Sequence, residues 1–479
     1  MLSSIIDTSV GGPGTKKARV IEVPQCSTAK TNEEHANSED SLIGGIWTDA
    51  GSASMLELWD QVMIGMMDQC NATLRHPGLL EKLRAEKFDA AYFEAIDYCG
   101  FGITALLGIE KYAVTQSLAI VDGESWPLAH VQFHPAYMPT MLSGSYGDDM
   151  TFWQRMENTL DYLFCIRYVE DTLSSFDAVF RGFDSSIARA HDIYGATSLV
   201  FLNTEPLTDF PRPTSHKIVE IGGIVVASGH QALDKKWSDI MDARPQTVLV
   251  SFGTFAKAYL MPETYKKTLR ETIEKFPNVT FIVKYEKPEH GISRGIDNLI
   301  ETTWMPQKDI LNDARLSAFV THCGQGSTTE ANTAGVPLVV IPVTVDQMRN
   351  AYQIKRNGLG VVIEKSTLTT TDTLEVALRE VLGNPKYTEK ARTVARMIQK
   401  RPFAMKDIFV RNMEFLVEFG PLRQLDHHAA KLNFAQYFLL DILAFVVGCA
   451  LVAVIFVVVL VRIAFQILRK LLRVKAKQT

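Results

Sequence analysis

The chain has 479 residues, too many for one ordinary domain and enough for two buried cores. Apolar residues make up 47% and charged residues 22%, the balance of a folded protein rather than a disordered one. Lys and Arg total 49 against 54 Asp and Glu, and the net charge of −5 disfavours a general nucleic-acid binder, so no nucleic-acid partner is expected.

Residues 1–50 are polar and rich in Gly and Ser, with one strand candidate at Ala18–Val23. Residues 53–86 read as mostly helical. Phe88–Glu94 reads as a buried strand, Gly102–Gly108 starts a helix behind it, and Lys111–Gln116 is a second strand. Residues 125–150 have little period and read as a long loop. Their aromatic and methionine side chains, with Trp153, suit the lining of an apolar pocket or an ordinary core. A helical pattern runs from about Thr151 to Phe183, and Ser198–Asn203 is another strand. Pro206–Gly223 carries three prolines and two glycines and reads as a linker.

The second half is more regular. Strands at Thr247–Gly253, Val279–Tyr285, Leu299–Thr303, Ala318–His322, Leu338–Val343 and Gly360–Glu364 alternate with helical segments, which predicts a parallel α/β sheet. The expected fold is α/β, with two Rossmann-like doubly wound domains. The first covers residues 1–205 and the second 246–433, joined by a linker at 206–245. Ligands are expected beyond the carboxyl ends of the strands, in a cleft between the domains.

From Ile442 to Val461 the chain has no charge for 20 residues, enough for a helix of roughly 30 Å, the thickness of a bilayer core. A buried core helix is the competing reading. The expected transmembrane segment is 434–463 and the basic tail 464–479. Residues 462–479 hold six Lys and Arg and no acid, leaving −11 on the rest of a chain whose total is −5. Such a cluster biases the tail toward the cytosol. Lys475 and Lys477, third and fifth from the end, resemble the dilysine retrieval signal of endoplasmic reticulum membrane proteins; an ordinary basic flank is the alternative. Six scattered cysteines indicate neither a metal site nor a dense disulfide framework. Sequons at Asn71 and Asn278 support a lumenal body only weakly.

Trp304 to Gln347 is the most informative stretch. Ala318–His322 is a strand, Cys323–Ser327 a turn, and a helix is expected to begin at Ser327. Small residues and a helix N-terminus suit a phosphate or diphosphate at Gly324–Thr328. Ser327 with Glu330 also fits a capping box, a purely structural explanation for both. Taken together, W-x-P-Q, H-x-G-x-x-S-x-x-E, G-V-P and P-x-x-x-D-Q at these spacings resemble the donor-binding signature of the UDP-glycosyltransferases. The resemblance extends over residues 5–475 and includes Ser251–Thr254, the Pro-Arg-Pro linker and the membrane anchor. The anchor points to the animal, glucuronosyltransferase-like branch.

The resemblance implies a GT-B fold and a set of roles. Trp304 would stack on uracil and Gln307 would bond the uridine part. Glu330 would accept from the ribose hydroxyls. His322, with Gly324, Gly326, Ser327 and Thr328, would hold the diphosphate, and Thr254 would reach it from the opposite loop. Asp346 and Gln347 would bind the sugar hydroxyls. Core packing is the competing reading for Trp304, a satisfied structural histidine for His322, and a helix start for Asp346 with Gln347. Many relatives carry Asn where this chain has Gly326.

In the family a histidine near the mature N-terminus deprotonates the acceptor hydroxyl, held in its tautomer by a carboxylate. The carboxylate position matches Glu94, with Asp97 a nearby second choice and a solvated strand-end acid the bland alternative. The histidine has no counterpart, since His35 does not match and the resemblance begins at Ile5–Thr8, at the end of the family's second strand. A signal peptide is missing too, which suggests an incomplete gene model or a truncated isoform.

The expected function is transfer of glucuronic acid or glucose, with inversion, from UDP-glucuronic acid or UDP-glucose to a small lipophilic acceptor. The pattern requires no metal and no cofactor beyond this co-substrate. The body would lie in the endoplasmic reticulum lumen on a single span. The alternative is a catalytically impaired chain that binds UDP-sugar and forms homo- or hetero-oligomers with related transferases.

Overall fold

The computed structural model describes residues 2–4, 15, 17–28, 30, 42–48, 52–119, 122–141, 146–226, 229–344 and 346–475. Ile5–Thr8, His35 and Lys477 lie outside the described residues. Two compact units are present, Met1–Leu425 and Asp426–Thr479.

The first unit holds twelve described strands. Leu2–Ser4 (β1) and Ile21–Val23 (β2) pair in parallel as a separate ribbon. Ala91–Glu94 (β3), Tyr112–Gln116 (β4), Leu199–Leu202 (β5) and Ile218–Glu220 (β6) form a parallel sheet in the order β3-β4-β5-β6. A second parallel sheet contains Gln246–Ser251 (β7), Val279–Lys284 (β8), Leu299–Thr302 (β9), Leu316–Thr321 (β10), Leu338–Val340 (β11) and Gly360–Val362 (β12). Its order is β12-β11-β10-β7-β8-β9.

Strand periodicity explains why the second sheet is buried on both faces. Val248 and Val250 of β7 pack with Ala318 and Val320 of β10 on one side, while Leu249 and Phe319 between them pack on the other. The chain runs outward from β7 through β8 and β9, then returns to β10 and runs the other way. The β7/β10 boundary is therefore the switch point, and in the ladder Ser251 sits opposite Thr321 at its carboxyl end.

The remaining elements close both lobes. The helix Phe152–Phe183 opens with a Thr151–Gln154 capping box and buries Val169, Leu173, Phe176 and Phe180 against the first lobe. A disulfide joins Cys70, on the helix Ser52–Leu74, to Cys99, at the start of the helix Cys99–Leu106. Near the end of the unit the helix Met405–Phe419 returns to the first lobe. Its Phe409 and Leu416 pack with Ala113, Leu199 and Phe201, covering the sheet's second face.

The lobes are bonded directly. Buried Arg349 pairs with buried Asp209 at 2.7 Å, Arg401 with Glu205 at 2.6 Å, and Gln325 Nε2 donates to the Asn203 carbonyl at 2.8 Å.

Several expectations are refined. Within the stretch read as a linker, Ile218–Glu220 is an edge strand, and Lys235–Asp242 is a helix capped by Asp234 that buries Trp237 and Met241. The helix expected over 53–86 breaks at Gly78, whose φ of 70° suits glycine. Residues 125–150 are mainly loop, after a short helix at Ser125–Ala129.

The second unit contains the short helix Phe434–Tyr437 and the helix Leu440–Lys475. Within Leu440–Lys470 an 18-residue window has a mean hydropathy of 3.3 and none of it is buried, so the core-helix reading of this segment fails.

Candidate functional site

The carboxyl ends of β7 and β10 meet around one imidazole. His322 follows β10 directly and is buried. A Cβ on Gly253 would lie 2.7 Å from its ring and one on Gly324 would lie 2.6 Å from Nε2. Glycine at both places lets two backbones close on the ring, and Gly253 also needs its positive φ of 79°. Burial and the nearby Lys284 ammonium push the His322 pKa down to about 4, so the ring is neutral at physiological pH. Lys284, at the end of β8, donates to the Gly253 carbonyl at 2.7 Å, and burial lowers its own pKa.

The helix after the turn spans Gln325–Ala334, with Gly324 as its N-cap. It therefore begins two residues before Ser327, and the expected Ser327–Glu330 capping box is not made. Gly324 is already extended (φ −61°, ψ 148°), which places Ser327 within the first turn. Cys323 takes a left-handed φ of 67° to make the turn. Among the described residues the Gln325 amide bonds Asp346 Oδ2 at 3.3 Å, while the amides of Gly326 and Ser327 have no hydrogen bond. Unpaired amides at a helix N-terminus suit an anion. A Cβ on Gly326 would meet nothing within 4 Å, so a side chain there has room. Thr328 is committed elsewhere, its hydroxyl within 3.3 Å of Cys323 Sγ and donating to the Gly324 carbonyl.

A cavity of about 390 Å³ opens beside this turn, lined among others by Thr254, Lys284, Trp304, Gln307, Ser327 and Glu330. Trp304 is 77% exposed, so core packing does not explain it. Gln307 Nε2 donates to Glu330 Oε2 at 2.7 Å, an arrangement that leaves Glu330 Oε1 to accept from a ligand. His322 and Gly324 are not among the lining residues; the His322 ring lies against Gly253, which is.

Asp346 and Gln347 open the helix Asp346–Asn357, as the helix-start reading has it; neither lines the cavity, and Asp346 alone bonds the turn. Asp346 accepts from Gln325 N and Asn350 Nδ2, and burial raises its pKa to about 6. Gln347 Oε1 accepts from the amides of Val343 and Thr344 at 2.8 and 3.0 Å.

Glu94 stands apart in the first lobe, at the carboxyl end of β3. It accepts from Ser117 Oγ at 2.5 Å, and burial raises its pKa. Among the described residues no histidine bonds it. Asp97 instead accepts from the Cys99 amide at 3.1 Å. Lys284 was not singled out in the sequence. The available signal was its place at the end of a Val/Ile-rich strand, where such sheets bind ligands.

Two parallel α/β lobes, closed by a return helix around a cleft at the switch point, make the GT-B architecture of glycosyltransferases. The structure of Os79 from O. sativa in complex with UDP shares it, with a TM-score of 0.55 at 15% identity over 85% of this chain and 92% of that one. Residues 4–478 match the family described as "UDP-glucoronosyl and UDP-glucosyl transferase", and the chain belongs to that family. Relatives include ugt-48 of Caenorhabditis elegans, 29% identical over 78% of this chain and 72% of the relative. UDP-glucuronosyltransferase 1A7 of Mus musculus is 27% identical over 88% of this chain and 79% of its own length.

Proposed function

We propose that the protein is a membrane-anchored transferase that moves glucuronic acid or glucose from its UDP conjugate to a hydroxyl of a small lipophilic acceptor, with inversion. The observation that carries this reading is the cavity at the second sheet's switch point, where an exposed Trp304 and the Glu330 carboxylate share one space. The indole offers a flat face to uracil, and Glu330 accepts from the ribose hydroxyls while Gln307 holds it.

The diphosphate sits at the Gly326 and Ser327 amides, with Thr254 across from it and Lys284 supplying positive charge. His322 stays neutral and brings no second cation. These groups act most strongly as the glycosidic bond breaks and negative charge grows on the leaving UDP. Asp346 and Gln347 are the candidates for the sugar hydroxyls, and Asp346 is tied to the same turn through the Gln325 amide. Glu94 belongs to the acceptor side, where a carboxylate holds or moves a proton.

The reading extends to the compartment. Disulfides persist in oxidising lumens and are rare in the cytosol, so the Cys70–Cys99 bond favours a body in the endoplasmic reticulum lumen. The apolar helix with its basic end anchors it from the membrane.

A second reading has its own observation. Among the described residues Glu94 accepts from Ser117 and from no histidine, which suits a chain that binds UDP-sugar without turnover and pairs with related transferases. One experiment separates the two. The purified full chain is given UDP-glucuronic acid or UDP-glucose with a panel of phenols and lipophilic alcohols, while UDP binding and UDP release are followed. Binding with acceptor-dependent release supports transfer. Binding without release supports the second reading. No UDP binding, with Trp304→Ala indistinguishable from wild type, sinks both.

A further inference from the structure

Trp47 is the largest side chain with no exposed surface, yet it comes from a polar, Gly/Ser-rich part of the sequence. It lies on the helix Leu42–Thr48, just ahead of the helix Ser52–Leu74, which packs in the first lobe. Ile46 and Trp47 themselves are buried in the core of the second lobe, among Val248, Phe252 and Tyr259. The segment is therefore a strap from one lobe to the other.

Two adjacent residues of the strap hold the loop after β7, which lines the candidate donor cavity, and the loop before the helix Asp346–Asn357. The Trp47 ring meets Phe252 edge-on at 5.0 Å, and its Nε1 donates to the Lys257 carbonyl at 3.2 Å. Phe252 precedes Gly253, which packs on His322. On the other side the buried Lys365 ammonium donates to the Ile46 carbonyl and, at 3.0 Å, to the Val343 carbonyl. The amides of Val343 and Thr344 are the ones that Gln347 accepts from. One chain of contacts runs from Trp47 to the phosphate end, the other from Ile46 through Lys365 to the sugar end.

We infer that the Ile46–Trp47 strap sets the geometry of the donor pocket, with Trp47 and Lys365 as positioning residues that touch no substrate. A buried lysine whose donors reach two carbonyls fixes both, since leaving either unpaired costs free energy. The inference deepens the proposed reading and rests on it for the identity of the ligand.

The test uses the full chain in detergent. Lys365→Met keeps the stem and removes both bonds. Expected are faster amide exchange at Val343 and Thr344 and a UDP-glucuronic acid or UDP-glucose Kd raised roughly fivefold. The Kd for UDP alone should stay within about twofold, since UDP lacks the sugar that Gln347 would meet. Trp47→Ala should weaken UDP and UDP-sugar alike, and Trp47→Phe, which keeps a ring against Phe252, should restore most of the loss.

A merely structural role for Lys365 would lower the melting temperature without separating the two ligands. That result, or unchanged exchange at Val343 and Thr344, overturns the inference. If wild type binds no UDP, the exchange result still decides the strap, and only the reading of the site fails. Should Trp47→Ala not fold, Lys365→Met carries the test alone.

Discussion

Three single residues make distinct predictions. Gly326 sits in the first turn of its helix, with open space where a side chain would go. Gly326→Asn should stabilise the protein by only about 0.3 kcal/mol, from helix propensity alone, and tighten UDP binding by adding a donor at the phosphates. A clash would instead lower the melting temperature. Asp346 titrates near pH 6 and should bind sugar hydroxyls best when ionised. The gap between UDP-sugar and UDP affinity should shrink as pH falls through about 6, and Asp346→Asn should remove that slope. His322, held neutral down to about 4, adds no step of its own above that pH. Glu124, in the first-lobe core, accepts from Tyr98 at 2.7 Å and from Gln116, and burial raises its pKa from 4.5 to about 7. A raised carboxyl pKa gives stability that is complete below the ordinary value and lost as pH rises through the folded one. Glu124→Gln should therefore flatten stability between about pH 4.5 and 7 and raise the melting temperature at neutral pH. Gln116 Oε1, buried without a partner, can turn to accept from the new amide. An unchanged pH slope would show that Glu124 is not the titrating group.

At the scale of elements, the helix Gln325–Ala334 decides what Glu330 does. A carboxylate in a capping box would cost about 1 kcal/mol of stability when removed. No such box is present, so Glu330→Ala should leave the melting temperature nearly unchanged while weakening UDP roughly tenfold or more, the cost of losing hydrogen bonds to a charged acceptor. A melting-temperature drop of several degrees with intact UDP affinity would restore the capping role. The same helix shows where sequence was enough and where it was not. β7, β8 and β10 were legible because buried parallel strands are nearly continuous apolar runs, and Trp304, Gln307 and Glu330 because a fixed spacing marks them. The helix start is ambiguous in the sequence because S-x-x-E carries two meanings, and only the extended backbone of Gly324 separates them. β6 was hidden by the prolines and glycines around three residues. Lys284 and Trp47 depend on which strands and lobes become neighbours, and no local pattern encodes that.

At the scale of the whole molecule, three separate features bear on one question, the side of the membrane on which the body lies. The Cys70–Cys99 disulfide requires an oxidising compartment to persist. Asn71 and Asn278, the sequon residues, are both exposed, so a glycosylating lumen could modify either. The basic residues after the apolar span favour a cytosolic tail. They come from unrelated chemistry: thiol redox, glycan acceptance and membrane charge bias. In sealed microsomes, protease added outside should remove an epitope placed after Lys475 and spare Met1–Leu425 until detergent is added. Endoglycosidase should raise the mobility of the protected body, and Asn71→Gln with Asn278→Gln should abolish that shift. Cysteines 70 and 99 should resist alkylation until reduced. A body digested outside intact vesicles, with free thiols at those positions, would place it in the cytosol and remove the lumenal reading while leaving the donor site untouched.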